Sequence, residues 1–159
     1  MKIIVIAACL MLLFVVVPVQ AQTLTDTQKA EIEKIVKEQI TALCSTFDTL
    51  DVESAFKLWS RDKLIGEVTA GRIDTSIDAM IKRWKSSNAN VLRRKNDIQE
   101  IKVNVISPDV AFATSKNLVR VELKNGNVNN SNWVGTFLWV KESSGWKLAF
   151  YGQSSSAIQ

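Results

Sequence analysis

A chain of 159 residues has the length of one domain, and its complete lack of histidine removes both the usual zinc ligand and the usual general base near neutral pH. The net charge of +4 is too small to point to nucleic acid. Its one basic cluster, Arg93-Arg94-Lys95, has no aromatic residue interleaved and reads as the solvated start of a strand.

The first 21 residues, MKIIVIAACLMLLFVVVPVQA, carry Lys2, an apolar run from Ile3 to Val17 and the small-residue ending Val19-Gln20-Ala21. That is the layout of a secretory signal peptide with cleavage after Ala21. The run of about 15 residues is short of the roughly 20 that span a bilayer, so no stable membrane insertion is expected after cleavage. The expected destination is the periplasm or the exterior. The domain division is therefore residues 1–21, a signal peptide, and residues 22–159, a single domain. Cys9 leaves with the signal, and Cys44 is then a lone thiol. No internal disulfide is expected, and the fold must rest on its apolar core. Cys44 falls on the apolar stripe of a helix and reads as a buried, inert side chain.

Thr25 to about Phe47 reads as a long helix. Thr25 and Gln28 stand at capping-box spacing, and Ile32, Val36, Ile40, Leu43 and Phe47 recur on one face. Asp51 reads as the N-cap of a short second helix with Val52, Ala55, Phe56 and Trp59 inward. Leu64 to Val68 can form a short strand, and Gly71 marks a turn. A third helix starts near Thr75 with Ile77, Met80, Ile81 and Trp84 on its apolar side.

After Asn90 the period changes to two. Ile101, Val103 and Val105 alternate with polar neighbours up to the turn Ser107-Pro108-Asp109. Val110 to Leu123 reads as a strand and Asn125-Gly126 as a hairpin turn. Asn132 to Glu142 and Trp146 to Ser155 complete the set, joined at Ser143-Ser144-Gly145. Helices first and antiparallel strands after them predict an α+β fold, one curved sheet packed on a helical layer. The strand from Trp133 is apolar on both faces: Trp133, Phe137 and Trp139 on one, Val134, Leu138 and Val140 on the other. A second apolar face needs a cover, and a homodimer through the sheet is the simplest one.

Several segments together resemble the nuclear transport factor 2-like superfamily, in its SnoaL-like and kinase association-domain-like branches. They are Asp51-Val-Glu-Ser-Ala-Phe-Lys-Leu-Trp-Ser-Arg-Asp62, then Asp109-Val-Ala-Phe-Ala-Thr, then Thr136-Phe-Leu-Trp139 with Gly145-Trp146-Lys-Leu and Ser154. The resemblance implies a cone-shaped curved antiparallel sheet wrapped against about three helices, with an internal pocket. The superfamily includes isomerases, dehydratases, cyclases, binding modules and dimerisation domains, so the fold alone does not give an activity. Relatives often place histidine after the closing tryptophan, where this chain has Phe150 and Gly152.

The expected pocket-lining residues are Trp59, Trp84, Asn117, Trp139, Tyr151 and Gln153: flat apolar walls with two neutral amides to orient a ligand. No catalytic residue, metal ligand or cofactor is assigned. Asp48, Asp51, Glu67 and Glu122 are the carboxylates that could approach the cavity. Asp51 reads as a helix cap, and Glu67 and Glu122 as solvated strand residues. The sequence thus favours an exported, noncatalytic, homodimeric binder of a small apolar ligand. The alternatives are an isomerase-, dehydratase- or cyclase-like enzyme using a pocket carboxylate, and a pure dimerisation module. What separates the first two is whether a carboxylate lies in the cavity unpaired and desolvated.

Overall fold

A computed structural model describes residues 23–158; the expected signal peptide, residues 1–21, lies outside them. Helix α1 spans Asp26–Asp48 and opens on the expected capping box: Thr25 Oγ1 accepts from the Gln28 amide at 3.2 Å, and the Gln28 side chain accepts from the Thr25 amide at 2.9 Å. Val36, Ile40, Leu43, Cys44 and Phe47 form its buried face. Helix α2 (Val52–Phe56) is capped by Asp51, whose carboxylate accepts from the Ser54 amide at 3.0 Å.

Two short strands follow, β1 (Gly66–Thr69) and β2 (Arg72–Asp74), then helix α3 (Ile77–Asn88). The sequence showed only one strand here, with the helix from Thr75. Gly71 turns the chain at φ +74° and makes a second strand possible where three residues are too few for a visible alternation. The remaining strands are β3 (Val91–Ser107), β4 (Val110–Leu123), β5 (Val128–Glu142) and β6 (Gly145–Ala157).

The six strands form one sheet in the order β2-β1-β6-β5-β4-β3. All neighbours are antiparallel except β1 and β6, which run parallel, a departure from the wholly antiparallel sheet expected. The cause is local. The segment leaving α2 is already hydrogen-bonded to β6, through Leu148 N to Leu58 O at 2.8 Å and Ser60 N to Leu148 O at 2.9 Å. Ile65 N then bonds Ala149 O at 2.8 Å, so the chain runs on beside β6 in the same sense.

Helices cover one face of this sheet. Ala111, Ala113, Phe137, Trp139, Leu148 and Tyr151 meet α1, α2 and α3 in a single apolar cluster with Ile40, Leu43, Phe56, Trp59 and Met80. On the opposite face Phe112, Leu138 and Phe150 stand side by side in register, with Val134 nearby at 46% exposed. Among the described residues no helix lies over that face. No described helix is long and apolar enough to cross a membrane.

Strand β3 begins at Val91, ten residues before the alternation recognised in the sequence. A bulge between Ile98 and Glu100 explains the mismatch. Inward positions run Arg94, Asn96, Ile98 before it and Ile101, Val103, Val105 after it, so the period breaks midway and two of the first three inward residues are polar.

Candidate functional site

The wide end of the cone holds a cavity of about 390 Å³ between α3, the β1–β2 hairpin and the inner face of the sheet. Phe47, Trp84 and Trp133 supply apolar walls, and Glu67, Arg72, Arg83 and Arg94 supply charge. Gln153, Thr69 and Ser87 complete much of the polar lining.

Glu67 is the key element. In the parallel pairing of β1 with β6 it lies opposite Tyr151, which turns its side chain to the helix-covered face, where it is 2% exposed. This corrects the reading of Glu67 as a solvated strand residue. A carboxylate so buried needs compensation. Trp84 Nε1 donates to Glu67 Oε1 at 3.1 Å and to Oε2 at 3.0 Å, and the Arg83 guanidinium bonds Oε2. Arg83 Nε also donates to Asp74 Oδ2 at 2.6 Å. Burial pushes the Glu67 carboxyl above its ordinary value; the Arg83 charge and the Trp84 and Arg83 donors pull it back, but desolvation wins.

The same contacts fix Trp84. Its ring lies 4.8 Å from Phe47 and 5.0 Å from Phe56 in an edge-on contact, while its nitrogen is held by Glu67. The result is a rigid aromatic wall set by α1, α2, α3 and β1 together.

Arg94, from β3, lines the same cavity. Its guanidinium carbon sits 5.6 Å from the Trp133 ring centroid, within cation–π range. Its Nε is buried with no hydrogen-bond partner, and among the described residues Arg94 forms no ion pair. Burial draws the guanidinium below its ordinary value, against the smaller opposing effects of Tyr151 and Asp48. Asp48 itself accepts from the Asn96 amide at 2.7 Å and from the Asn96 side chain. This corrects the reading of Arg93-Arg94-Lys95 as a wholly solvated run: Arg93 and Lys95 face water, and Arg94 faces the cavity.

The six residues proposed from the sequence are distributed as follows. Trp84 and Gln153 line this cavity. Tyr151 is 4% exposed, donates to Gln153 Oε1 at 3.0 Å, and has its phenol pushed far above the ordinary value by burial. Asn117 is buried on β4 opposite Trp133, with Nδ2 donating to Ser115 Oγ at 3.3 Å. Trp139 has no exposure and is part of the core. Trp59 stacks on Phe56 at 5.5 Å and lines a different cavity, of about 460 Å³, with Glu53, Arg61 and Lys147. Phe47, Glu67, Arg83, Arg94 and Trp133 were not singled out as lining. Of these, Phe47 was on the apolar stripe of the first helix, Trp133 on one face with Phe137 and Trp139, and Glu67 among the carboxylates that could approach the cavity; Arg83 and Arg94 carried no such sign. The other carboxylates are engaged or distant: Asp51 caps α2, and Asp48 holds β3. Among the described residues no three His, Cys, Asp or Glu side chains are grouped to hold a metal.

The fold and this cavity define a small α+β cone with one curved sheet, three helices and a ligand-sized pocket at the wide end. The SnoaL-like domain profile matches residues 36–159, and the chain belongs to that family. Solved structures share the fold. A nuclear transport factor 2-like superfamily protein from Salmonella enterica serovar Typhimurium superposes with a TM-score of 0.74 at 12% identity, over 82% of this chain and 95% of the other. A ketosteroid isomerase-like protein from Erwinia carotovora atroseptica gives 0.69 at 22% identity, over 80% and 98%. The hexachlorocyclohexane dehydrochlorinase LinA-type3 from Novosphingobium barchaimii gives 0.72 at 8% identity, over 84% and 94%. No curated protein matches the sequence.

Proposed function

We propose that this chain is an exported, homodimeric binding protein that holds a small, mostly apolar ligand in the Trp84–Trp133 cavity without turning it over. The observation that carries the noncatalytic part is the state of Glu67. It is the cavity's one lining carboxylate, and both its oxygens are engaged by Trp84 and Arg83. These contacts take up most of the carboxylate's acceptor positions and hold it in one orientation, away from the role of a free general base, and no histidine stands in for it. The cavity volume and its ring-lined walls suit a ligand of one or two rings. The test is tryptophan emission against a panel of small hydrophobic metabolites, repeated on Trp84→Ala. Binding that disappears in Trp84→Ala, while the variant stays folded, supports the reading; a panel that perturbs nothing removes it.

A second reading has a specific observation behind it. Glu67 is desolvated and its carboxyl is raised, a signature of functional acids. Relatives with this fold include a dehydrochlorinase and an isomerase-like protein. If Glu67→Gln abolished a measured elimination or isomerisation, the cavity would be an active site.

Dimerisation rests on the uncovered face of the sheet. Phe112, at 37% exposed, is aligned with Leu138 and Phe150, and Val134 is 46% exposed beside them. Sedimentation at micromolar concentration should give twice the protomer mass, and Val134→Lys should halve it. Export rests on residues 1–21 alone. Intact mass of the protein from its native host should begin at Gln22; a full-length chain in the membrane fraction would contradict this.

A further inference from the structure

We propose that the ligand of this cavity is a small planar organic anion, a carboxylate on an aromatic or unsaturated body, and that Arg94 is the residue that receives its acid group. The proposal deepens the binding reading above and rests on it.

Charge balance in the cavity comes first. Three guanidiniums, Arg72, Arg83 and Arg94, face a single lining carboxylate. Arg83's charge is already paired, since it bridges Glu67 and Asp74. Among the described residues neither Arg72 nor Arg94 has a carboxylate within ion-pair distance; with Asp74 and Glu67 both on Arg83, the excess among these groups is one positive charge, with Asp48 the next carboxylate acting on Arg94.

Arg94 is the more telling of the two because its Nε is removed from water and bonded to nothing. A buried N–H without an acceptor is costly, and natural structures seldom leave one idle. Nε is closed off from the cavity as it stands, so a bound carboxylate would reach it by a turn of the Arg94 side chain, which already lines the cavity. The guanidinium edge presents parallel donors that match the two oxygens of a carboxylate, which a neutral ligand cannot exploit.

The walls specify the rest of the ligand. Trp133 lies beneath the Arg94 guanidinium, and Trp84 and Phe47 make an apolar wall, 4.8 Å apart and locked by the Glu67 contact. A ring would pack on the Trp84–Phe47 side of the cavity while its acid group reached the Arg94 guanidinium that covers Trp133. A bare inorganic anion would leave the aromatic surface uncovered.

The experiment uses three probes on the intact protein: 2-naphthoate, its neutral amide 2-naphthamide, and acetate. Affinities are measured by calorimetry at low and at raised salt. The expected result is 2-naphthoate binding at least about tenfold more tightly than 2-naphthamide, with the preference shrinking in salt and acetate not binding. Arg94→Gln should bring 2-naphthoate down to the affinity of 2-naphthamide in the same variant, whereas Arg94→Lys should keep part of the preference. Equal binding of acid and amide would overturn the anion proposal and leave the binding pocket standing. Binding of acetate as tight as 2-naphthoate would overturn the planar body. No binding of any probe would overturn this proposal together with the pocket reading. If Arg94→Gln does not fold, Arg94→Lys and the salt dependence of the unaltered protein decide the matter alone.

Discussion

Replacing Arg83 by methionine tests how Glu67 is held. The substitution keeps the length and apolar stem of the side chain but removes the charge that bonds Glu67 and Asp74. The Glu67 side chain is 2% exposed and that of Arg83 20%, so the stranded charge sits on the buried side of the pair. Removing one partner of a buried pair costs about 3–5 kcal/mol. Here Trp84 Nε1 still donates and water can reach the space Arg83 leaves, which places the expected loss at the low end, about 3 kcal/mol. The loss should depend on pH with a defined sign. Burial already holds the Glu67 carboxyl above its ordinary 4.5, and loss of Arg83 raises it further. A group whose folded-state value is raised contributes stability that is complete below the unfolded value and is lost as pH rises through the folded one. Arg83→Met should therefore be more damaging at neutral pH than at acidic pH, where Glu67 takes up a proton. Urea unfolding of the wild type, Arg83→Met, Glu67→Gln and the double variant reads this out. Glu67→Gln keeps an acceptor for Trp84 and should cost about 1 kcal/mol, and the double variant should recover most of the Arg83→Met loss. An Arg83→Met penalty below about 1 kcal/mol, or one that does not change with pH, would show that Glu67 is not a desolvated charge held by Arg83.

Three further outcomes follow from the same geometry. Gly66→Ala should cost about 2–3 kcal/mol in thermal unfolding, because φ is +136° and an added Cβ would lie 2.5 Å from Asp74 O; an unchanged Tm would mean the β1–β2 hairpin relaxes freely. Cys44, 4% exposed with its thiol pushed up to about 12 by burial, should resist a disulfide reagent in the native protein and react fully in urea; fast native labelling would reveal local opening of α1. Trp84→Phe should retain packing on Phe47 but remove the nitrogen that bonds both Glu67 oxygens, lowering stability by about 1–2 kcal/mol in the same urea assay; no loss would mean Arg83 alone suffices.

What could be read in one dimension was whatever depends on neighbours three or four residues away. The stripe of α1, the Thr25–Gln28 box, the Asp51 cap and the Asn125-Gly126 turn are local, and each stands as read. The α+β order and the two-sided apolar strand β5 were equally plain, because alternation needs only residues two apart. The site was not legible in this way. Glu67 belongs to a strand of four residues, too short to declare which face is inside, and its burial is tolerable only because Arg83 and Trp84 arrive from α3. Arg94 is indistinguishable from Arg93 and Lys95 until the pairing of β3 with β4, with its bulge at Ile98 and Glu100, sets which of the three points inward. Trp84, Trp133, Trp139 and Trp59 are chemically alike, and only the closing of α1, α2 and α3 over the sheet seals Trp139 in the core and leaves Trp84 and Trp133 lining one cavity. A side chain's propensity is a property of its own residue; its desolvation is a property of what packs over it, and that is decided only when the distant parts of the chain meet.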